Sequence, residues 1–280
     1  MKTTLPLAGY RYSPAKFFLL TFVISWTFWF LSAYFSFREN SEAIFVILML
    51  PGLIVPSAVA IWMIYRPGNS EMKRDFLKKL LNLRLIRLRT LPALLLIMPM
   101  AVVISIFISI LFGQSSEQLQ FAESFSFTAG FVPVLLVLFL AATFEELGWR
   151  SYAVDSLHSR YSYFTATLIF GALWSLWHLP LMFIKDYYHY ELLQTNILFA
   201  VNFFVGTIPM AFILSWICRK NNGSIIAVIL FHFVINLSQE ALQMTQIAKC
   251  IETGVLFILA AVLVIADRKL FFDHPSAIKK

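Results

Sequence analysis

Eight stretches of about twenty apolar residues dominate this chain, at roughly 17–36, 44–65, 91–113, 128–149, 163–184, 197–217, 223–239 and 251–266. Coiled as a helix, such a stretch matches the ~30 Å hydrocarbon thickness of a bilayer. Lipid offers the backbone no hydrogen bonds, so a spanning segment is a helix or a strand of a closed barrel. These stretches lack the period-two alternation that a barrel needs. The chain therefore reads as an all-α membrane protein with about eight transmembrane helices, one polytopic domain over 1–280. Composition agrees: 60% of residues are hydrophobic and only 13% charged, with a mean hydropathy of +0.78. A soluble domain carries about a quarter charged residues. A water-soluble enzyme, a nucleic-acid-binding module and a disordered tail are all excluded, and the lipid bilayer is the first expected partner.

Loop charge sets the orientation. With the N-terminus inside, only Arg38, Lys185 and Lys249 fall outside, and the other nineteen of the 22 Lys and Arg fall on the cytoplasmic side. Both termini are therefore expected in the cytoplasm. The first apolar run follows Lys2, Arg11 and Lys16 like a signal peptide, but its length and the lack of a small-residue cleavage site favour a retained helix. The basic segment 70–90 places Phe76, Leu80 and Leu83 on one helical stripe and Leu81, Leu85 and Leu88 on the next. It reads as a cytoplasmic helix lying on an anionic leaflet, or else packed on neighbouring loops. Cys218 and Cys250 fall on opposite faces and form neither a disulfide framework nor a metal motif.

Ionisable residues inside a bilayer are costly and tend to mark sites. Three clusters stand out. In the fourth run, Glu145 and Glu146 are followed by Arg150. Glu146 and Arg150, at i and i+4, can pair across one helical turn. Glu145 lies about 100° round the helix without such a partner. In the fifth run, Trp174 and His178 share a face, and Pro180 bends or ends the helix beyond them. In the seventh, His232 and Asn236 present an imidazole and a carboxamide one turn apart. Each cluster alone also fits a structural role: a capped helix end, a hydrogen-bonded core histidine, or polar glue between helices. Together they supply a carboxylate and an imidazole to activate water, and a His and an Asn to stabilise an oxyanion.

The three clusters resemble the CPBP family of CAAX-protease and bacteriocin-processing (Abi) intramembrane proteases, whose motifs are EExxxR, FxxxH and HxxxN in that order. The first and third match in full. The second carries Trp174 where the family usually has Phe. The resemblance covers residues 125–240, taken as the catalytic core. It implies an intramembrane endopeptidase opening to the cytoplasm and acting on a prenylated or bacteriocin-like membrane-associated peptide. It also implies that Glu145 activates water with help from His178, that His232 and Asn236 stabilise the oxyanion, and that Glu146 and Arg150 support the first motif beside Trp174. Members are described as metalloproteases. A zinc ion on Glu145, His178 and His232 would keep one open position, but no HExxH is present, and a metal-free glutamate mechanism uses the same residues and is preferred. A multi-pass protein of a bacterial plasma membrane is the implied location.

One conflict remains at this level. Placed at the inner end of the fourth helix, Glu145 sits far in depth from His178, about fifteen residues into the fifth. Either the fourth helix continues past Arg150, or the fifth starts in the cytoplasm or tilts strongly. Two other functions stay open: a non-enzymatic immunity or scaffold protein, and a proton-coupled transporter, for which the repeats and paired broken helices are missing.

Overall fold

A computed structural model describes residues 11–123 and 133–272. Lys2, the stretch 125–132 of the expected core, and the C-terminal Lys279 and Lys280 lie outside the described residues. All the elements are helices: α1 Pro14–Ser36, α2 Glu42–Tyr65, α3 Ser70–Leu81, α4 Leu91–Leu111, α5 Val134–Gly148, α6 Val154–His158, α7 Tyr163–Trp177, α8 Tyr188–Thr195, α9 Ile197–Lys220, α10 Ile225–Ala241, α11 Gln246–Ala266 and α12 Arg268–Phe272. Six segments among the described residues are long and apolar enough to cross a membrane, and α10 is a shorter apolar helix. The protein is an all-α membrane protein.

The fourth apolar run does not end at 149. α5 continues without interruption through a wider π turn, Trp149–Ala153, into α6. Glu145 thus lies near the middle of a helical run over 134–158, not at an inner helix end. Counted from the 159–162 turn, Glu145 is thirteen residues back along this run and His178 fifteen residues on from the start of α7. At 1.5 Å per residue both stand about 20 Å deep, which removes the conflict in depth. Pro180 does end the regular helix: α7 stops at Trp177 and a tight 3-10 turn, Leu179–Phe183, follows.

In lipid, helices gain no hydrophobic drive to associate, so small residues and polar bonds hold them together. α1 shows this at helical spacing. Ser25 donates to the Gly52 carbonyl at 2.8 Å, the Trp29 indole N–H to that of Met49 at 3.1 Å, and Ser32 to that of Phe45 at 2.8 Å. α2 then packs on α5, where the Ser57 hydroxyl donates to the Phe144 carbonyl. Gly148 makes that approach possible: a Cβ there would lie 2.5 Å from the Pro56 carbonyl carbon and 2.7 Å from its oxygen.

The α-helix of the basic segment covers Ser70–Leu81, and two short 3-10 turns, Leu83–Leu85 and Leu88–Thr90, carry the chain on to residue 90. Asn82 leaves the helix in an extended conformation and its side chain caps the short turn that follows. Met72, Phe76 and Lys79 are buried against the bundle, while Leu77, Leu81, Leu83 and Leu88 are exposed. Lys79 bonds Asp75 at 2.6 Å and Asp155 at 2.8 Å. Burial pulls its ammonium down, but Asp155 and Asp75 outweigh that and hold it above the ordinary lysine range.

Gly148→Ala forces backbone against backbone. It is expected to lower the melting temperature of the detergent-solubilised protein, at an overpacking cost of about 1–3 kcal/mol. Gly254→Ala, where an added Cβ meets no atom within 4 Å, is expected to leave melting unchanged or slightly raised. Equal melting of the two variants would show that the α2–α5 approach is not tight.

Candidate active site

The site begins with a charge that has no solvent. Glu146 is fully buried. A lone carboxylate in such surroundings is untenable, so it must be paired. Its Oε2 accepts from Arg150 Nε at 2.6 Å and its Oε1 from His232 Nδ1 at 2.8 Å. Arg150 passes the connection on: Nη1 donates to the Ser215 hydroxyl at 3.1 Å, and the guanidinium lies 4.8 Å over the Phe170 ring. One carboxylate therefore joins α5 to α10 and, through Arg150, to α9 and α7.

The pairing also sets a tautomer. Against an ionised carboxylate, His232 Nδ1 carries the proton, so its Nε2 is the nitrogen left for chemistry. His178 is arranged similarly from another direction. As the C-cap residue of α7 it donates from Nδ1 to the Trp174 carbonyl at 2.7 Å, leaving the Nε2 lone pair.

Glu145, next in sequence to Glu146, meets different partners. Its Oε2 accepts from the Trp174 indole N–H at 2.7 Å and from the Trp149 indole N–H at 3.4 Å. Neither partner is charged, and both bonds fall on one oxygen, so Oε1 is left to bind a water. A Phe at 174 would lack that N–H. Asn236, one turn beyond His232, spends one N–H on the Leu138 carbonyl at 3.3 Å and keeps a second.

Glu145, His178, His232 and Asn236 all line a single cavity of about 540 Å³. Trp174 lines it too, between Glu145 and the edge of the His232 ring, 5.7 Å away. Glu146 and Arg150 lie behind, buried and paired. Every residue expected from the sequence is thus brought to one place, five at the cavity, Trp174 among them, and two supporting them. The cavity occupies the half of the bundle that ends at the loops around 37–41, 183–187 and 242–245, away from the basic loops.

Several cavity residues escaped the sequence reading. Glu252 is buried on α11 and accepts from Gln239 Nε2 through both oxygens at 2.8 Å. A carboxylate inside an apolar run was a readable signal. His189, Tyr188 and Lys249 lie in or beside loops and carried none.

A zinc ion on Glu145, His178 and His232 does not fit this arrangement. Among the described residues no three His, Cys, Asp or Glu side chains stand as a metal-holding group.

Comparison with known proteins agrees with this architecture. Residues 127–238 match the family described as type II CAAX prenyl endopeptidase, Rce1-like. That match spans the first motif through the third. A protein of Methanococcus maripaludis named CAAX prenyl protease 2 is 49% identical over 267 residues, which is 95% of this chain and 98% of that protein. With likeness running across nearly the whole length, and not only at the motifs, this chain belongs to the Rce1-like family of CAAX prenyl endopeptidases.

Proposed function

We propose that this protein is an intramembrane endopeptidase that hydrolyses a peptide bond near the C-terminus of a lipid-modified, membrane-associated peptide. The observation that carries the reading is the meeting of Glu145, His178, His232 and Asn236, from three separate helices, on one cavity inside the membrane.

The chemistry follows from the partners. A water held between Glu145 Oε1 and His178 Nε2 gives its proton to Glu145 as its oxygen bonds to the substrate carbonyl carbon. The carbonyl oxygen gains the charge. It takes hydrogen bonds from Asn236 Nδ2 and from the Nε2–H of a His232 that enters the cycle with both ring protons and keeps them throughout, its Nδ1–H on Glu146. The C–N bond then breaks and the Glu145 proton goes to the leaving amine. The α2 side of the cavity, with Phe45, Val46, Met49, Leu50 and Leu53, is apolar and suits a lipid chain. No step uses a metal. A non-enzymatic immunity role would make both histidines dispensable, so His178→Ala and His232→Ala separate the two readings.

The orientation belongs to this reading as well. The charge bias places the basic loops and both termini in the cytoplasm of a plasma membrane, with exposed Leu77, Leu81, Leu83 and Leu88 resting at its anionic leaflet beside the basic side chains. The cavity then lies in the half of the bilayer farther from the cytoplasm, a departure from the expected cytoplasmic opening.

On a prenylated CAAX peptide, Glu145→Gln is expected to abolish cleavage without change in melting. Asn236→Ala is expected to lower kcat by about 10²–10³ with KM little changed. Full activity of Glu145→Gln would overturn the mechanism.

Glu146→Ala leaves Arg150 unpaired in the interior. It is expected to cost about 3–5 kcal/mol of stability in addition to activity, seen as a lower melting temperature and loss of yield. A variant that melts like the wild type would show that the pair does not hold the helices.

In intact cells, an impermeant maleimide is expected to label Arg38→Cys and spare Lys78→Cys. The reverse pattern would turn the cavity half toward the cytoplasm.

A further inference from the structure

Beside His178, the cavity wall carries polar groups that the hydrolysis does not use. Lys249, half-buried on the first turn of α11, is the one lysine or arginine among the described residues lining the cavity. Its Nζ donates to the Tyr188 hydroxyl at 3.0 Å and lies 4.7 Å over that ring. This fixes the ammonium at the wall and engages one of its three N–H groups. The N-terminal end of α11 adds positive partial charge there.

Next to it stands His189. It is 4% exposed, and neither ring nitrogen finds a partner among the described groups. The ring is held in place by others: it stacks on Tyr187 at 5.3 Å and on His178 at 6.1 Å, with Phe203 edge-on at 4.4 Å. A buried imidazole with unmet nitrogens costs stability, so this wall lacks a polar group that a ligand can bring. Glu252 does not supply it, because Gln239 engages both its oxygens.

We propose that Lys249 and His189 form a subsite for the C-terminal carboxylate of the peptide being cleaved. They position the substrate and take no part in the bond-breaking steps. The proposal rests on the endopeptidase reading above. A cut within a four-residue C-terminal box releases three residues at most, a span of about 10 Å when extended. The free carboxylate of such a substrate therefore stays inside the cavity during the cut. Out of water it requires a cation. Glu145, Asp186, Glu240 and Glu252 on the lining repel it, Glu252 from one turn along α11, and Lys249 is the cation on the lining that attracts it. His189, one ring contact from His178, donates a second hydrogen bond and ties the carboxylate's place to that of the water-activating imidazole. The enzyme would thereby select chain ends over internal segments.

The test uses the full-length protein in lipid vesicles and two farnesylated fluorogenic peptides, identical except that one ends in a carboxylate and the other in an amide. The wild type is expected to favour the acid by about tenfold in kcat/KM, chiefly through KM, the scale of a charge-assisted hydrogen bond. Lys249→Gln is expected to erase that preference by lowering kcat/KM for the acid toward that for the amide. Lys249→Arg should retain the preference, and His189→Phe, which keeps the ring stack, should reduce it. Equal cleavage of acid and amide by the wild type overturns the subsite and leaves the endopeptidase reading standing. An undiminished preference in Lys249→Gln does the same. Cleavage of neither peptide by well-folded wild type removes both.

Discussion

A fully buried carboxylate, Glu146, is the constraint on which the rest of this structure depends. Inside a membrane protein a bare charge is held only by partners, and the partners here come from the same helix and from a distant one: Arg150 one turn on, and His232 eighty-six residues away. Satisfying that charge brings α5 and α10 together at one depth. Arg150 extends the hold to Ser215 of α9 and Phe170 of α7. Removing Glu146 would leave a guanidinium stranded among apolar groups, a worse outcome than never having had the pair. The wide turn at Trp149–Ala153 places Arg150 and the Trp149 indole on either side of this network, an arrangement of the kind that π turns often support at functional sites.

The same network explains how two adjacent glutamates acquire different roles. Glu146 is matched by full positive charge and acts as a fixed part of the frame. Glu145 receives two indole N–H groups on one oxygen and faces the cavity. Its neutral partners hold it in place and leave its other oxygen toward the cavity. The histidines are sorted likewise: each has its Nδ1 engaged, one by a carboxylate and one by a backbone carbonyl, and each turns Nε2 to the chemistry. Orientation of the first contacts by a second layer is what keeps such a site from being loose.

The cavity joins two environments that a lipid-modified peptide also joins. Its α2 side is apolar, and its α8 and α11 side carries Tyr188, His189, Lys249 and Glu252. Glu145 and His178 stand between them. α2 and α5, which approach closely where Gly148 meets Pro56, both contribute to the lining of this space.

Much of this was legible in the residues. The apolar runs determined an all-α membrane protein, because lipid leaves a spanning backbone no other choice. The ionisable residues within those runs marked Glu145, Glu146, Arg150, His178, His232 and Asn236, because a charge in lipid persists only for a reason. The i,i+4 spacing was enough to pair Glu146 with Arg150, since one helical turn is a local matter. What only the tertiary structure decided involves groups distant in the chain. Hydropathy placed the end of the fourth helix at 149, since polar residues near Arg150 look like a loop, yet the helix runs on to His158 because its polar side chains are paired inside the bundle. The hold of His232 on Glu146, the indole bond from Trp174 to Glu145, and the wall of His189 and Lys249 depend on how closely helices approach. That approach is set by small residues and buried partners on other helices, and no periodicity within one helix reports it.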